Sequence, residues 1–207
     1  MKLVVDFDDV LFDTKKLKDA FFAVLQQRGV RDPEGQYGFE RKNDRPFSLK
    51  LFMGRIAEEE NIDDVDSMYE EVMSRCAEWR NDELIEVVQK AGKDNCYIVT
   101  SGDDEFQKDK IVRSDVGSFF REIIVVPGSK NRTIEALCAL YPHEDVIFID
   151  DKHRFFNDIA METCPNLKTV LYNKHGLDNL RAEIEESMKA EHEKMEHNKG
   201  NGGPTMK

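Results

Sequence analysis

Residues 3–10 read LVVDFDDV, an apolar run of three residues followed at once by a group of carboxylates. This pattern predicts a short buried strand over Leu3 to Asp6. Because side chains two positions apart point to the same side of a strand, we expect Asp6 and Asp8 to project together, with Asp9 facing away. In an open α/β sheet the carboxyl end of a strand is where ligands bind.

Two neighbouring carboxylates repel each other and are costly to bury without a cation. One interpretation of Asp6 and Asp8 is therefore a site for a hard metal ion, in which one carboxylate is a nucleophile and the other transfers a proton. The alternative is a solvated acidic turn after a strand. The segment by itself leaves both interpretations open.

Further apolar runs predict a sheet. The five predicted strands are Leu3 to Asp6, Cys96 to Thr100, Glu122 to Val126, Val146 to Asp150 and Lys168 to Tyr172. Continuous apolar runs are typical of parallel strands that are covered on both faces. Helical periodicity follows the later strands at residues 104–115, 131–140 and 155–161. This alternation indicates an α/β protein with a Rossmann-like, doubly wound parallel sheet.

The first two strands are separated by far more chain than a crossover needs. Helices are expected within this stretch over Leu17 to Leu25, Phe47 to Glu59, Val65 to Trp79 and Glu83 to Lys90. The expected organisation is an α/β core of residues 1–14 and 82–180 with a helical cap inserted at residues 15–81. The alternative is extra helices that only extend the core. Residues 181–207 are expected to form a C-terminal helix and, from Asn198, a disordered glycine-containing tail.

Polar side chains also follow the second predicted strand. Thr100, Ser101 and Gly102 lie at its end. A hydroxyl beside a glycine can donate hydrogen bonds to an anionic oxygen, with backbone N–H groups assisting. Ser-Gly is also an ordinary turn dipeptide, so this signal is weak when taken alone.

Charged candidate residues also lie later in the chain, at Lys130 and at the pair Asp150 and Asp151. Lys130 precedes the helix expected at residues 131–140 and could supply a positive charge to a phosphate or a carboxylate, although a solvated surface lysine is the commoner case. Asp150 and Asp151 end the fourth predicted strand, where packing does not explain an acidic pair. Together with Asp6 they would form an oxygen-rich site suited to Mg²⁺.

The order of these groups resembles the haloacid dehalogenase (HAD) superfamily. The chain has Asp-x-Asp after one strand, Thr-Ser after the next, then a lysine, then Asp-Asp after a further strand. The resemblance covers roughly residues 1–14 and 82–175, and the insert resembles the helical type-1 cap of that superfamily. Aspartate at the position of Asp8 is what its phosphatases and phosphomutases have. Some members carry a further aspartate where this sequence has Phe155.

The resemblance implies a Mg²⁺-dependent phosphatase that hydrolyses a small phosphorylated metabolite, such as a nucleotide or sugar phosphate, through an aspartyl-phosphate. In this scheme Asp6 is the nucleophile and Asp8 the general acid and base. Thr100 contacts the phosphoryl group and Lys130 steadies it. The implied metal ligands are Asp6, Asp8, Asp150 and Asp151, and Asp151 is favoured over Asp150 for direct contact with the ion.

Substrate choice is expected to depend on the insert. Arg45 belongs to the most basic stretch of the chain, residues 41–55, which is interleaved with Phe47, Phe52 and Met53. Arg45, Ser101 and Gly102 are therefore candidate substrate-binding residues. The alternative for the basic stretch is a charged, exposed helix face.

Composition limits the partners. The 207 residues include 30 Lys+Arg and 42 Asp+Glu, a net charge of −12, which argues against a nucleic-acid binder. No apolar stretch approaches the roughly 20 residues of a membrane span, so no membrane partner is expected. The four cysteines form no C-x-x-C motif and are interpreted as reduced thiols of a cytoplasmic protein. A monomer or weak homodimer is expected.

Two other functions remain open at this stage. A phosphomutase would use the same aspartyl-phosphate but return the phosphoryl group to a sugar. A non-catalytic phosphate-binding or regulatory domain is the second alternative. Receiver domains also combine an acidic pair, Thr/Ser and lysine around Mg²⁺, but in a different order and without this insert.

Overall fold

A computed structural model describes residues 1–42, 45–157 and 159–200. Five parallel strands form its sheet: β1 (Lys2–Val5), β2 (Cys96–Ser101), β3 (Glu122–Val126), β4 (Val146–Asp150) and β5 (Leu167–Leu171). Their order in the sheet is β3-β2-β1-β4-β5, with β1 in the centre. The chain therefore winds outward from β1 in both directions, which confirms the predicted doubly wound α/β fold.

The central strands are apolar because both of their faces are covered. In β1, Leu3 and Val5 belong to one buried cluster, whereas Val4 belongs to a second cluster on the opposite face. In β4, Ile147 and Phe148 divide between the two clusters in the same way. Successive side chains of a strand point to opposite faces, so a strand buried on both sides has no polar positions until it ends.

An inserted helical region separates β1 from β2. It contains α1 (Thr14–Gln27), α2 (Pro33–Glu40), α3 (Leu49–Glu60), α4 (Val65–Met73), a short 3-10 turn (Cys76–Trp79) and α5 (Asp82–Ala91). Aromatic rings hold the region together: the ring of Phe21 lies 5.6 Å from Tyr37 and 6.0 Å from Phe52 between centroids. The helical insert after the first strand is as predicted, whereas its division from the core at residues 15–81 stays a prediction.

The helices that follow are α6 (Asp104–Arg113), α7 (Asn131–Leu140), α8 (Arg154–Asn157) and α9 (Gly176–Gly200). Helix α6 begins directly after β2, where the side chain of Asp103 accepts the backbone N–H of Phe106 at 2.9 Å. An aspartate in this position satisfies one of the free N–H groups of the first helical turn. The cap therefore fixes where α6 begins, close to the end of β2.

Several local predictions differ from the structure. The helix expected over Val65 to Trp79 ends at Met73 and is followed by the separate 3-10 turn. Helix α2 is not among the predicted helices; Gly35 and Gly38 lower its helix propensity, although Asp32 before Pro33 is a typical helix start. The helix expected at residues 155–161 is only the short α8, whose neighbour Ile159 packs in the core without continuing it. Helix α9 includes residues 198–200, which were expected to be disordered. The rest of the predicted tail, residues 201–207, lies outside the described residues.

Two further features concern membrane spans and cysteines. Within the described ranges, no helix combines the length and the hydropathy needed to cross a bilayer. All four cysteines are free thiols with buried side chains.

Candidate active site

Three strands end side by side at the carboxyl edge of the sheet and bring distant residues together. Asp6 follows β1, Thr100 lies in the last part of β2, and Asp150 is the last residue of β4. The backbone N–H of Asp6 donates to the carbonyl of Ile149 at 2.9 Å, which continues the pairing of β1 with β4. The central position of β1 is what places Asp6 between the other two chain segments.

The chain after β1 turns instead of extending the strand. The carbonyl of Phe7 accepts the N–H groups of Leu11 and Phe12 at 2.9 and 3.0 Å, and Asp9 has a φ of 61°. Strand alternation therefore does not apply beyond Asp6. Asp8 and Asp9 both line the same cavity as Asp6, so the prediction that Asp9 faces away is wrong.

Lys130 lies between two buried carboxylates. Its Nζ is 2.7 Å from Oδ1 of Asp6 and 2.5 Å from Oδ2 of Asp150, and all three side chains are almost fully buried. Burial raises the pKa of Asp6 to about 7; Lys130 opposes this rise, and the charge of Asp150 adds to it. Burial likewise raises the pKa of Asp150, against the effect of Lys130. The positive charge of Lys130 therefore does not fully balance the negative charges of Asp6 and Asp150.

The acidic groups at this edge fit a hard divalent cation. Carboxylate oxygens of Asp6, Asp150 and Asp151 lie within 4.8 Å of one another. Oxygen-only donors are what Mg²⁺ prefers, and a cation would compensate the negative charge of these carboxylates, two of which are buried. The carboxylate of Asp8 is not in this group, so its role as a metal ligand stays a prediction, as does the preference for Asp151 over Asp150.

Thr100 presents a hydroxyl with no bonding partner. The residue is only 1% exposed, and its Oγ1 makes no hydrogen bond within the described part of the chain. A buried polar group without a partner is uncommon and costs free energy unless a ligand or water satisfies it. Thr100 lines the same cavity as Asp6. The hydroxyl is therefore available to an anionic oxygen bound there.

Asp8 is held by three side chains. Its Oδ1 accepts hydrogen bonds from Lys110 at 2.5 Å and from the Thr14 hydroxyl at 3.1 Å, and its Oδ2 accepts one from Gln107 at 2.7 Å. Burial acts to raise the pKa of Asp8, but Lys110, Gln107 and Thr14 together lower it below its ordinary value. The pKa values of Asp6 and Asp8 are thus shifted in opposite directions.

Gly102 makes room for this arrangement. Its φ is +156°, and a Cβ atom on it would lie 2.7 Å from Nε2 of Gln107. The same Nε2 donates to the Ser101 carbonyl at 3.1 Å, so the amide packs directly on this turn. A side chain at Gly102 would displace the group that bonds Asp8. The predicted substrate contacts of Ser101 and Gly102 stay predictions.

A cavity of about 710 Å³ opens above this edge, between the inserted helices and the core. Of the predicted site residues, the following line it: Asp6, Asp8, Arg45, Thr100, Ser101 and Gly102. Lys130 and Asp150 are buried behind Asp6. The structure therefore brings these six residues, including Arg45 from the insert, to one cavity, whereas Lys130, Asp150 and Asp151 do not line it.

Sequence reasoning did not single out Lys110, Gln107 or Thr14. The signal available was the spacing of Gln107 and Lys110 on α6, because residues three apart share a helix face, and this helix starts just after Thr100. Lys110 is only 2% exposed, and its Nζ lies 4.9 Å from the centre of the Phe106 ring. Nothing in a polar segment such as residues 107–113 distinguishes a buried lysine from its solvated neighbours.

No protein-family model matches the sequence, and no curated protein sequence matches it. Solved structures do match. A haloacid dehalogenase-like family hydrolase from Xanthomonas campestris has a TM-score of 0.50 at 16% identity, covering 92% of this chain and 94% of its own.

Two further matches have similar lengths. A protein from Burkholderia xenovorans LB400, assigned to the haloacid dehalogenase-like hydrolases, has a TM-score of 0.65 at 19% identity and covers 84% of this chain and 83% of its own. A protein from Thermotoga maritima, assigned as a β-phosphoglucomutase, has a TM-score of 0.50 at 18% identity, with coverage of 84% and 87%. At these identities the likeness shows a shared fold.

Proposed function

We propose that this chain, which has the fold of the haloacid dehalogenase-like hydrolases, is a Mg²⁺-dependent phosphatase that acts on a small phosphomonoester through an aspartyl-phosphate. The observation that carries the proposal is the convergence of Asp6, Asp8 and the unpartnered Thr100 hydroxyl on one cavity. Fold alone does not decide function, because one fold hosts many reactions. The proposal therefore depends on the side chains.

Asp6 is the nucleophile in this proposal. Its carboxylate attacks phosphorus, so an oxygen–phosphorus bond to Asp6 forms as the ester bond breaks and the leaving oxygen takes a proton. Phosphoryl transfer needs chiefly positioning and charge neutralisation of the equatorial oxygens. Lys130, bonded to the Asp6 carboxylate, holds that side chain in place, and the Thr100 hydroxyl can donate to a phosphoryl oxygen.

Asp8 is the proton-transfer group. It gives a proton to the leaving oxygen in the first half of the reaction and takes one from the attacking water in the second. The bonds from Lys110 and Gln107 favour its carboxylate form, which is the form needed for the second half. Donation in the first half requires the protonated form, so the contact with Lys110 must weaken as the substrate binds.

The carboxylates of Asp6, Asp150 and Asp151 are the residues that would hold Mg²⁺. When bound there, the ion supplies positive charge to the phosphoryl oxygens and offsets the repulsion between a phosphate ester and an acidic protein. The backbone N–H of Lys152 donates to Oδ1 of Asp150 at 2.8 Å, and its Nζ contacts Oδ1 of Asp151 at 3.1 Å. These contacts orient both side chains of the pair.

A phosphomutase is the second candidate. The Thermotoga maritima protein that shares the fold is assigned as a β-phosphoglucomutase, and both activities would use the same first half-reaction. A mutase needs a bisphosphate activator and releases little free phosphate, so product analysis separates the two. A non-catalytic role is disfavoured because nucleophile, proton-transfer group and phosphoryl contact lie in one cavity. A cytoplasmic location and a monomeric or weakly dimeric state belong to the same proposal.

Phosphate release from an aryl phosphate tests the proposal. We expect turnover with Mg²⁺, a fall of at least about a hundredfold in excess chelator, and full recovery when Mg²⁺ is restored, because charge stabilisation by a metal contributes several kcal/mol to the transition state. Phosphate release that is equal with and without chelator would contradict the proposal.

A further inference from the structure

Four basic side chains line the cavity without an acidic partner. They are Lys18, Arg41, Arg45 and Arg154, none of which forms an ion pair within the residues that the structure describes. Arginines elsewhere behave differently: Arg28, Arg80 and Arg113, for example, each contact a carboxylate within 3.1 Å. In a chain with a net charge of −12, unpaired cations around one cavity need an explanation.

Lys18 links this group to the candidate active site. It lies one helical turn after Thr14 on α1, and the Thr14 hydroxyl is bonded to Asp8. Lys18 is half-buried. A partly buried ammonium group without a counter-ion is unfavourable, because it loses hydration and gains no compensating charge. An anion in the cavity would remove that cost.

Arg41 and Arg45 reach the same cavity from the segment that follows α2. Both residues are exposed, and the guanidinium carbon of Arg41 lies 5.9 Å from the centre of the Phe47 ring. Lys42, between them, does not line the cavity. The basic stretch therefore directs particular side chains toward the cavity, which a uniformly solvated helix face would not do.

Aromatic rings form another part of the lining. Tyr37 and Phe47 meet edge to face with centroids 5.1 Å apart, and Phe47 meets Phe106 of α6 at 6.0 Å. All three rings line the cavity. Such rings bind flat apolar groups by area burial and by stacking. The lining thus offers a flat apolar surface and unpaired positive charge in one cavity.

We infer that the substrate carries, on an aromatic or other flat body, a second anionic group in addition to the phosphate ester that reacts. Lys18, Arg41 and Arg45 bind this second group, and Tyr37, Phe47 and Phe106 contact the flat body. The inference rests on the proposed phosphatase function. The reacting phosphate belongs at the sheet edge, where Asp6, Asp150 and Asp151 would hold the ion that supplies its counter-charge, so the cations of the insert serve another anion.

Matched pairs of aryl phosphates test this inference. One member of each pair carries a carboxylate on the ring, attached directly or through one or three methylenes, and the other carries the corresponding carboxamide. A parallel series carries a phosphonate, which distinguishes a carboxylate from a phosphate-like second anion. The measurement is kcat/KM for each compound with the wild-type protein, Arg41→Gln, Arg45→Gln and, as a matched control, Lys42→Gln.

For at least one spacer, we expect the anionic compound to exceed its amide by about tenfold or more in kcat/KM, mainly through KM, because uniform binding contacts change KM. Arg41→Gln and Arg45→Gln should reduce this ratio toward one, and Lys42→Gln should retain the ratio. Equal kcat/KM for anionic and amide compounds at every spacer, in both series, would overturn the inference while the proposed function stands. No turnover of any compound would instead contradict the proposed function, and the inference that rests on it.

Discussion

Asp6→Asn should abolish phosphate release, with a loss of at least about a thousandfold in kcat, because the amide cannot form the covalent intermediate. The fold should survive the change. The Asp6 Oδ1 accepts the Phe7 N–H at 2.7 Å, and an asparagine oxygen can accept the same bond. A stable Asp6→Asn protein that releases phosphate at the wild-type rate would show that another group is the nucleophile.

The same substitution should change the pH dependence of stability. The pKa of Asp6 is raised from 3.8 to about 7 by burial, so between these values the folded chain holds a proton that the unfolded chain has lost. A folded state that binds more protons loses stability as pH rises. The contribution of Asp6 to the free energy of unfolding is therefore most favourable below about pH 4. It becomes less favourable as pH rises and is least favourable above about pH 7.

Thermal melts without metal measure this effect. Asp6→Asn lacks the buried charge, so its melting temperature minus that of the wild type should grow as pH rises from about 4 to about 8, and should be positive at the upper end. A difference that is constant with pH would mean that Asp6 titrates normally in the folded protein.

Lys130→Met should destabilise the metal-free protein strongly. The substitution leaves Asp6 and Asp150 buried without the cation that bonds both of them. Removing one partner of a buried ion pair costs about 3–5 kcal/mol, and in a chain of this size that lowers the melting temperature by roughly 10 °C. The fall in melting temperature should be smaller near pH 5, because protonated carboxyl groups carry no charge for the lysine to compensate.

Lys152→Met is the matched control. The Lys152 side chain is 39% exposed and contacts Asp151 at 3.1 Å. Ion pairs exposed to solvent contribute at most about 1 kcal/mol, so this variant should melt within a few degrees of the wild type. Should Lys130→Met fail to fold at neutral pH, Lys130→Gln and melts in acid supply the comparison. Equal destabilisation by the Lys130 and Lys152 substitutions would contradict the arrangement described here.

The sheet could be predicted because its sequence pattern has a single physical cause. Strands covered on both faces must be apolar until they end, so the runs before Asp6 and through Asp150 show where strands end and polar groups begin. Because the carboxyl ends of parallel strands share one edge of the sheet, Thr100 at the end of another strand is expected beside Asp6 and Asp150. These positions follow from backbone geometry and need no knowledge of side-chain contacts.

Other features depend on tertiary contacts that no local pattern contains. Lys110 is buried against Phe106 and bonded to Asp8, 102 positions earlier, yet its segment is as polar as a surface helix. The turn after β1 brings Asp9 to the cavity against the expectation from strand alternation. Helix α2 forms despite two glycines because the inserted helices pack around Tyr37.

The most direct measurement is a crystal structure of the protein with Mg²⁺ and a phosphate analogue bound. We expect the ion about 2.1 Å from oxygens of Asp6 and of Asp150 or Asp151, with the Thr100 hydroxyl within about 3 Å of the bound anion. A cation bound elsewhere, with the Thr100 hydroxyl still unpartnered and the anion outside the cavity, would contradict the assignment of this edge of the sheet as a phosphoryl-transfer site.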